Sequence, residues 1–335
     1  MKNLEKILEI IDKKLYTEYD RLVQDLTKKV YSCINEALAI DNGIYTNHDK
    51  EHFDLVIEQA GHLLNAEKIL EIVYKQNDIK QLSCDEKKDF FFLNSMELFI
   101  LLCSIRVHDI GLVIDRANHS TNVLYTISML TIELRTHVKQ LITEISGAHT
   151  GKDDTGSKDK IFNLPKDKNV NSIPIRPQIL AAIVRFSDEL EEGTNRTNNT
   201  MIIFEKVQET NIVFHKYSLS LADLSINIEE QRIILTFYIL ETETEIYIKP
   251  DGEKVTLLEE IYNRLQKLEQ ERKYFHRFLC NTRSIEQIEC NIIITDEHSN
   301  PTDNISVSTF ETYPKIEEYG LLRLKEYNEG KKNDN

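Results

Sequence analysis

The sequence carries an adjacent histidine and aspartate, His108 and Asp109, at the end of a long apolar run. Imidazole and carboxylate groups both bind metals, and together they suit Mn, Fe, Co, Ni, Zn or, less readily, Mg. Neighbouring side chains on a regular helix point about 100° apart and rarely share a target. At a fraying helix end, however, both can reach one ion. The pair therefore hints at a metal site where a helix stops.

The apolar run itself, MELFILLCSIRVHDIG, predicts the helix that positions this pair. A dense apolar run of this length needs burial and favours a helix over a strand. Polar residues such as Glu97 and Arg106 argue against a membrane span. We expect the helix to open near Asp85, to be capped by Gly111, and to form the centre of a soluble helical domain.

Two more polar residues face inward on other predicted helices. His52 lies on the apolar stripe of a helix predicted over residues 47–74. A core histidine bonded to a carbonyl group is the plainer interpretation. Asp188 lies on the core-facing stripe of a helix that opens at Pro177, where a carboxylate must be paired, protonated or bound to metal. A salt bridge with Arg185 is the plainer interpretation there.

Two histidines stand at helix ends. His119 lies at the start of a predicted helix, three residues after Arg116, and His149 follows a helix predicted over 136–145. A histidine after a helix can simply favour the carbonyl end of the helix dipole, or it can project into a shared pocket. The next segment, 150–177, lacks helical periodicity, and loops of that length are usually lids or disordered. Its lysines could contact phosphate, although solvated lysines are commoner.

From about residue 201 the apolar period changes to two, which predicts strands over 211–219, 223–229, 232–241 and 288–295, with an amphipathic helix over 254–280. The predicted fold class is therefore mainly α, a helical bundle followed by a small α+β domain. We expect a helical domain over 1–200, the α+β domain over 201–300, and a C-terminal extension over 301–335 that adds a strand and a short helix before a disordered end.

Composition limits the kinds of partner. The net charge of −15 disfavours extended binding to a nucleic-acid backbone, which depends on Lys and Arg. Five cysteines without a CxxC pair indicate reduced thiols in a cytoplasmic protein. We recognise no signal peptide and expect no membrane association.

The order H…HD…D resembles the HD superfamily of metal-dependent phosphohydrolases. Five stretches resemble the superfamily's motifs in order over about residues 44–196, namely NHDKEHFDLVIEQAGHLL, SIRVHDIG, RANHS, SGAHTG and ILAAIVRFSDELEEG. The resemblance is strongest to the branch near CRISPR-associated HD domains and related stand-alone HD proteins. The superfamily more often has Leu-Ala-Asp where this chain has Phe-Ser-Asp, a change that leaves the aspartate in place.

The resemblance implies one metal held by four residues: His52, His108, Asp109 and Asp188. It further implies that His119 and His149 either hold a second metal, bridged by Asp109, or contact the substrate phosphate. A water molecule acidified by the metal then attacks phosphorus. Arg116 and Lys152 are the candidates for stabilising charge in the reaction, and Arg185 and Arg196 are weaker ones.

These implications favour a phosphohydrolase that acts on a small phosphorylated substrate, a nucleotide or a nucleotide derivative, with one or two divalent ions. The α+β domain would shape substrate access or form the interface of a homo-oligomer. A single-strand nuclease is one alternative, disfavoured by the acidic balance and by the lack of a basic-aromatic stretch for stacking bases. The other is a non-catalytic module that binds a nucleotide or a partner.

Overall fold

A computed structural model describes residues 1–40, 50–76, 93–129, 134–153, 155–193, 207–279 and 285–310 of the 335-residue chain. The fold is mainly α, with a small mixed sheet in the C-terminal part, as the sequence predicts. The described residues fall into two compact units. The first lies within Met1–Asn42, His48–Glu191 and Tyr274–Arg283, and the second lies within Gly43–Asn47, Glu192–Lys273 and Ser284–Asn335.

The first unit is built from helices. They are α1 (Asn3–Ile11), α2 (Lys13–Leu26), α3 (Ser32–Ile40), α4 (Lys50–Leu63), α5 (Ala66–Gln76), α6 (Ser95–Val107), α7 (His119–Met129), α8 (Thr136–Gly147) and α9 (Pro177–Glu189). A π-helical turn, Thr27–Tyr31, joins α2 to α3, and a 3₁₀ turn, Ile110–Val113, follows α6. Apolar residues of these helices form one core.

Helix α6 is the centre of this core. Every residue from Met96 to Val107 is buried, and the helix contacts α1, α2, α4, α8 and α9. Its first turn is fixed by a capping box, in which the Asn94 side chain accepts from the Glu97 N–H and the Glu97 carboxylate accepts from the Asn94 N–H. Glu97 also accepts two hydrogen bonds, at 2.7 and 2.8 Å, from the Arg176 guanidinium just before α9. These contacts hold the start of α6 against the start of α9.

A buried arginine ties four helices together. Arg106 of α6 is 2% exposed and bonds the Glu5 carboxylate of α1 at 2.8 Å and the Asp54 carboxylate of α4 at 2.6 Å. Its Nε also donates to the Tyr19 hydroxyl of α2 at 2.9 Å. Burying a guanidinium is costly unless it is paired and hydrogen-bonded, and both conditions hold here.

Two predicted helix boundaries are wrong. The helix predicted over 47–74 is interrupted, because α4 ends at Leu63 and Asn65 adopts a left-handed conformation with φ of 54° before α5 begins. Asparagine accepts this conformation better than most residues. Helix α6 does not run back towards Asp85, since Asn94 caps it in an extended conformation. Asp85 itself lies outside the described residues.

The segment between α8 and α9 contains more local structure than a bare loop. It includes a 3₁₀ turn, Ile161–Asn163, and a hairpin of strands β1 (Lys168–Val170) and β2 (Ile173–Ile175). Asn171 and Ser172 form the two-residue turn with φ of 50° and 66°. Positive φ at both positions is what a tight hairpin turn requires.

The second unit contains the mixed sheet. Its elements are α10 (Ile212–Ser220), β3 (Leu221–Asn227), β4 (Arg232–Leu240), β5 (Tyr247–Ile248), β6 (Lys254–Val255), β7 (Gln287–Thr295) and β8 (Pro301–Phe310). The four-stranded sheet has the order β3-β4-β7-β8, in which only the β4–β7 pair is parallel. Helix α11 (Leu257–Leu279) lies between β4 and β7 in the chain, and its residues from Tyr274 onward belong to the first unit.

The strand predicted over 211–219 is wrong, because Ile212–Ser220 is a helix. Its residues do not alternate strictly in polarity, and Val213 and Tyr217 stand four apart and are both buried, as one helix face requires. The Tyr217 hydroxyl donates to the Glu192 carboxylate at 2.6 Å. The strands predicted over 223–229, 232–241 and 288–295 are confirmed with small shifts of their ends.

The extension after residue 300 adds strand β8, as predicted, and residues 311–335 lie outside the described part of the chain. Within the described ranges, the helices are too short or too polar to cross a membrane.

Candidate metal centre

Six residues from five places in the first unit converge on one cluster. They are His52 of α4, His108 and Asp109 just after α6, His119 at the start of α7, His149 after α8, and Asp188 of α9. All six are the metal ligands named from the sequence. Four of them, His52, His108, Asp109 and His149, are at most 5% exposed.

The adjacent pair shares one target because the helix ends between its members. His108 is the last residue with helical dihedrals, and Asp109 has φ of −106° and ψ of 3°. This change of direction lets Asp109 Oδ2 lie 3.3 Å from His108 Nε2. The prediction that a helix end brings the two side chains together is confirmed, although Gly111 lies in the 3₁₀ turn and is not a left-handed cap.

One half of the cluster surrounds Asp109 Oδ2. His52 Nε2 lies 3.8 Å from this oxygen and 3.4 Å from His108 Nε2. Asp188 Oδ1 lies 3.5 Å from His52 Nε2 and 3.4 Å from His108 Nε2. The Asp188 carboxylate therefore faces the two histidines. We call this group the first half-site.

The other half of the cluster surrounds Asp109 Oδ1. His119 Nε2 and His149 Nε2 each lie 3.3 Å from this oxygen, and the two nitrogens lie 3.3 Å from each other. We call this group the second half-site. The Asp109 carboxylate thus presents one oxygen to each half-site, which is the arrangement of a bridging carboxylate.

Each of the four imidazoles is oriented through its other nitrogen. The Nδ1 atoms of His108, His119 and His149 donate to the carbonyl oxygens three residues earlier, at 2.8, 2.8 and 2.5 Å. His52 Nδ1 donates to the Glu191 carboxylate at 2.8 Å. In the neutral ring, a proton fixed on Nδ1 leaves the Nε2 lone pair free for a metal.

Glu191, which orients His52, was not predicted from the sequence as a residue of the site. It is 3% exposed and stands three residues after Asp188. This spacing places both carboxylates on one side of the helix end and is the signal that could have identified it. A carboxylate behind a metal-binding histidine raises the basicity of the ring and fixes its direction.

Gly111 packs against the backbone of His119, a ligand of the second half-site. A Cβ atom at this position would lie 2.0 Å from the carbonyl oxygen of His119. Only glycine lets the backbone after Asp109 approach the start of α7 so closely. The small residue of the HDIG stretch is therefore required by packing.

The charges of the cluster shift its protonation equilibria. Burial alone would lower the pKa of His108, but the carboxylates of Asp109 and Asp188 outweigh it and hold that pKa well above its usual value. Burial likewise opposes the ionisation of Asp109, but His108 and the bonds to His119 and His149 hold the Asp109 pKa well below its usual value. Burial lowers the pKa of His149. A metal ion would compete with a proton for His108 Nε2, so the affinity of the cluster for a metal is expected to fall as the pH drops.

The donor set fits a divalent metal. Two donors that are each about 2.1 Å from one ion lie about 3.0 Å apart at a right angle and about 3.4 Å apart at the tetrahedral angle. The donor separations of 3.3 to 3.8 Å within the half-sites are close to this range. Two overlapping groups of three residues each bring their donor atoms within 4.8 Å of one another. They are His52–His108–Asp188 and His108–Asp109–His149. Buried imidazole and carboxylate donors of this kind suit Mn, Fe, Co, Ni or Zn.

The basic residues predicted to stabilise charge differ in their exposure and in the groups that they contact. The Arg116 side chain is exposed next to the second half-site, and its carbonyl group orients His119. Lys152 is exposed, whereas Lys160 of the same segment is half-buried and bonds the backbone next to His149. The Arg185 guanidinium lies over the ring of Tyr274. Arg196 lies outside the described residues.

Comparison with known families agrees with this geometry. The model of the HD-CE family matches residues 43–274, more than two thirds of the chain. The chain belongs to the HD-CE family. The match begins where the HD resemblance begins and continues through most of α11, so the matched region covers the His/Asp cluster and most of the described second unit. No curated protein matches the chain significantly.

The HD-CE assignment establishes an HD-type domain with a buried His/Asp cluster that could hold a metal. The closer relation to CRISPR-associated HD domains, the cytoplasmic location, the homo-oligomer and the domain boundaries at residues 200 and 300 stay predictions.

Glu191→Gln is expected to weaken metal binding at the first half-site without removing a ligand. The amide is a weaker acceptor for His52 Nδ1, so the ring loses basicity and a fixed direction, and we expect the affinity to fall about 10- to 100-fold. Calorimetric titration with Mn²⁺ measures it. Glu67→Gln, an exposed position on α5, is the control. Unchanged affinity in Glu191→Gln would contradict the role of this carboxylate.

Proposed function

We propose that this protein is a metal-dependent phosphohydrolase that cleaves a phosphoester of a nucleotide or a nucleotide-derived substrate. One observation carries the proposal: the buried Asp109 carboxylate presents one oxygen to a His/His/Asp group and the other to a His/His group. Two adjoining half-sites that share a carboxylate suit a reaction in which an attacking and a leaving oxygen are both stabilised.

We assign the ligands by half-site. One ion would be held by His52, His108, Asp188 and Asp109, and a second by His119, His149 and Asp109. Divalent ions at these positions supply positive charge for the phosphoryl oxygens and lower the pKa of a water molecule. Glu191 orients His52, and three backbone carbonyl groups orient the other rings.

The exposure of the ligands indicates the side from which a substrate approaches. The side chains of His52, His108 and His149 are at most 2% exposed, whereas those of His119 and Asp188 are 18% and 26% exposed. The two most exposed ligands are carried by α7 and α9, and we infer that the phosphoryl group would approach from their side. The buried rings would keep bulk water away from the other side.

The overall charge of −15 disfavours a long nucleic acid as the substrate. Arg116 and Lys152 are proposed to contribute positive charge where such a substrate meets the exposed ligands. Their exposure leaves their side chains accessible to a substrate.

A hydrolysis screen tests the proposal. Purified protein is loaded with Mn²⁺, Co²⁺, Ni²⁺, Zn²⁺ or Mg²⁺ and incubated with nucleotides, cyclic dinucleotides and single-stranded oligonucleotides, beside a His108→Ala variant. We expect metal-dependent turnover of one class of nucleotide by the wild-type protein alone. Turnover restricted to oligonucleotides would instead indicate a nuclease. Bound metal with nucleotide binding and no turnover of any substrate would indicate a sensor.

A further inference from the structure

The segment after His149 is anchored to the first unit through Asp159. Its Oδ1 accepts from the Tyr274 hydroxyl and its Oδ2 accepts from Arg277 Nη1, both at 2.7 Å. The Arg277 guanidinium also lies over the ring of Phe162, 4.8 Å from its centroid. These contacts fix the backbone on both sides of Lys160 and determine where its side chain can reach.

Lys160 contacts the residues that directly follow the two histidines of the second half-site. Its ammonium group donates to the carbonyl oxygen of Thr150 at 2.8 Å and lies 3.3 Å from the hydroxyl oxygen of Ser120. Thr150 directly follows His149, and Ser120 directly follows His119. One side chain therefore bridges the two backbone segments that carry the two ligands.

The packing around the Lys160 ammonium group indicates that this side chain is held in place and is not a mobile surface lysine. Lys160 is half-buried, and burial together with the charge of Arg185 lowers its pKa. Gly151 has φ of 79°, and a Cβ atom there would lie 3.4 Å from the Ser120 hydroxyl oxygen and 3.7 Å from the ammonium nitrogen. The neighbouring Lys158 and Lys166, by contrast, are exposed.

We propose that Lys160 is a positioning residue that holds His119 and His149 at the spacing needed for the second metal ion. This inference rests on the proposed function, because it presumes that the second half-site binds an ion. Two of the three ammonium donors are directed at protein acceptors, so the side chain acts on the ligands through Ser120 and Thr150. It touches neither ligand ring itself, and its loss should affect one half-site only.

Calorimetric titration of the metal-free protein with Mn²⁺ tests the proposal without an activity assay. The wild-type protein is expected to bind two ions, and His119→Asn should lose the event that belongs to the second half-site. Lys160→Met should weaken that same event at least about 10-fold and leave the first unchanged. Lys160→Arg should restore most of the loss, and Lys166→Met should behave as wild type.

Other results would overturn the inference in recognisable ways. Normal binding of both ions by Lys160→Met would remove the positioning role and leave the proposed function intact. Equal weakening of both events with a lowered melting temperature would show a general structural role. A wild-type protein that binds one ion would refute the second half-site while leaving a single-ion hydrolase. A protein that binds no ion would refute the proposed function as well.

Discussion

Asp109→Asn should abolish metal binding and hydrolysis together. The carboxylate offers one oxygen to each half-site and supplies negative charge at the centre of four imidazoles. The amide keeps the volume but removes the charge and turns one oxygen into an N–H₂ donor that no metal accepts. One half-site loses its ligand outright and the other keeps only a neutral amide oxygen, so both lose the central negative charge, and we expect the metal content and the turnover to fall to background. Elemental analysis beside the hydrolysis assay measures both quantities.

Asp167→Asn is the matched control, since it makes the same change at an exposed position of the segment after α8. It should keep the wild-type metal content. Far-ultraviolet circular dichroism of Asp109→Asn must show an intact helical fold, so that the loss of metal is not a consequence of unfolding. Metal retained at the wild-type stoichiometry in a folded Asp109→Asn protein would contradict the bridging role.

Arg106→Met should cause the largest loss of stability among the changes considered. The substitution leaves the Glu5 and Asp54 carboxylates and the Tyr19 hydroxyl without the guanidinium that they face. Removing one partner from a buried ion pair costs about 3–5 kcal/mol, because an uncompensated charge stays buried. Urea denaturation followed by circular dichroism gives the change in the free energy of unfolding.

A surface arginine provides the comparison. Arg135 is paired with Glu18 at 3.7 Å, and both side chains are at least 31% exposed. Because exposed pairs contribute about 0–1 kcal/mol, Arg135→Met should be nearly neutral. If the two variants lost similar stability, the buried network would not have the importance assigned to it.

The same network should make stability depend on pH. Burial raises the pKa of Glu5, but the hydrogen bond from Tyr19 and the charge of Arg106 outweigh it and lower that pKa. Burial also raises the pKa of Asp54, and the charge of Arg106 again outweighs it and lowers that pKa. A lowered pKa contributes stability above the unfolded-state value, and that contribution is lost as the pH falls through the folded-state value. The wild-type protein should therefore lose stability below about pH 4.5, and Arg106→Met should show a smaller dependence over that window.

Much of the candidate site was accessible from the sequence, for two different reasons. The inward positions of His52 and Asp188 followed from helical periodicity, and the structure places both beside His108. The assignment of His119 and His149 came from the family resemblance, because a histidine at a helix end has several ordinary explanations. The structure brings all of these residues to one cluster, while their metal-binding roles stay predictions.

The features that the sequence did not predict correctly depend on contacts between residues that are distant in the chain. Lys152 and Lys160 look alike in the sequence. The hydrogen bonds that Asp159 accepts from Tyr274 and Arg277, 115 and 118 residues away, help to place Lys160 beside the ligands. Helix α10 was misread because its apolar residues fit both periods and its buried face is completed by Tyr217 against Glu192. No local pattern carries that information.

The three histidines that donate to a carbonyl oxygen three residues earlier have a property that His52 lacks. Their ring directions are encoded within their own turns of backbone, whatever side chains stand at positions 105, 116 and 146. If the backbone segment that carries one of these rings and its carbonyl partner shifted as a rigid body, the ring would travel with it, and the spacing between rings would change while the ring kept its direction. His52 depends instead on the end of α9, so loosening that end would free one ring alone. We therefore expect metal affinity at this cluster to depend more on the positions of these backbone segments than on side-chain rotation.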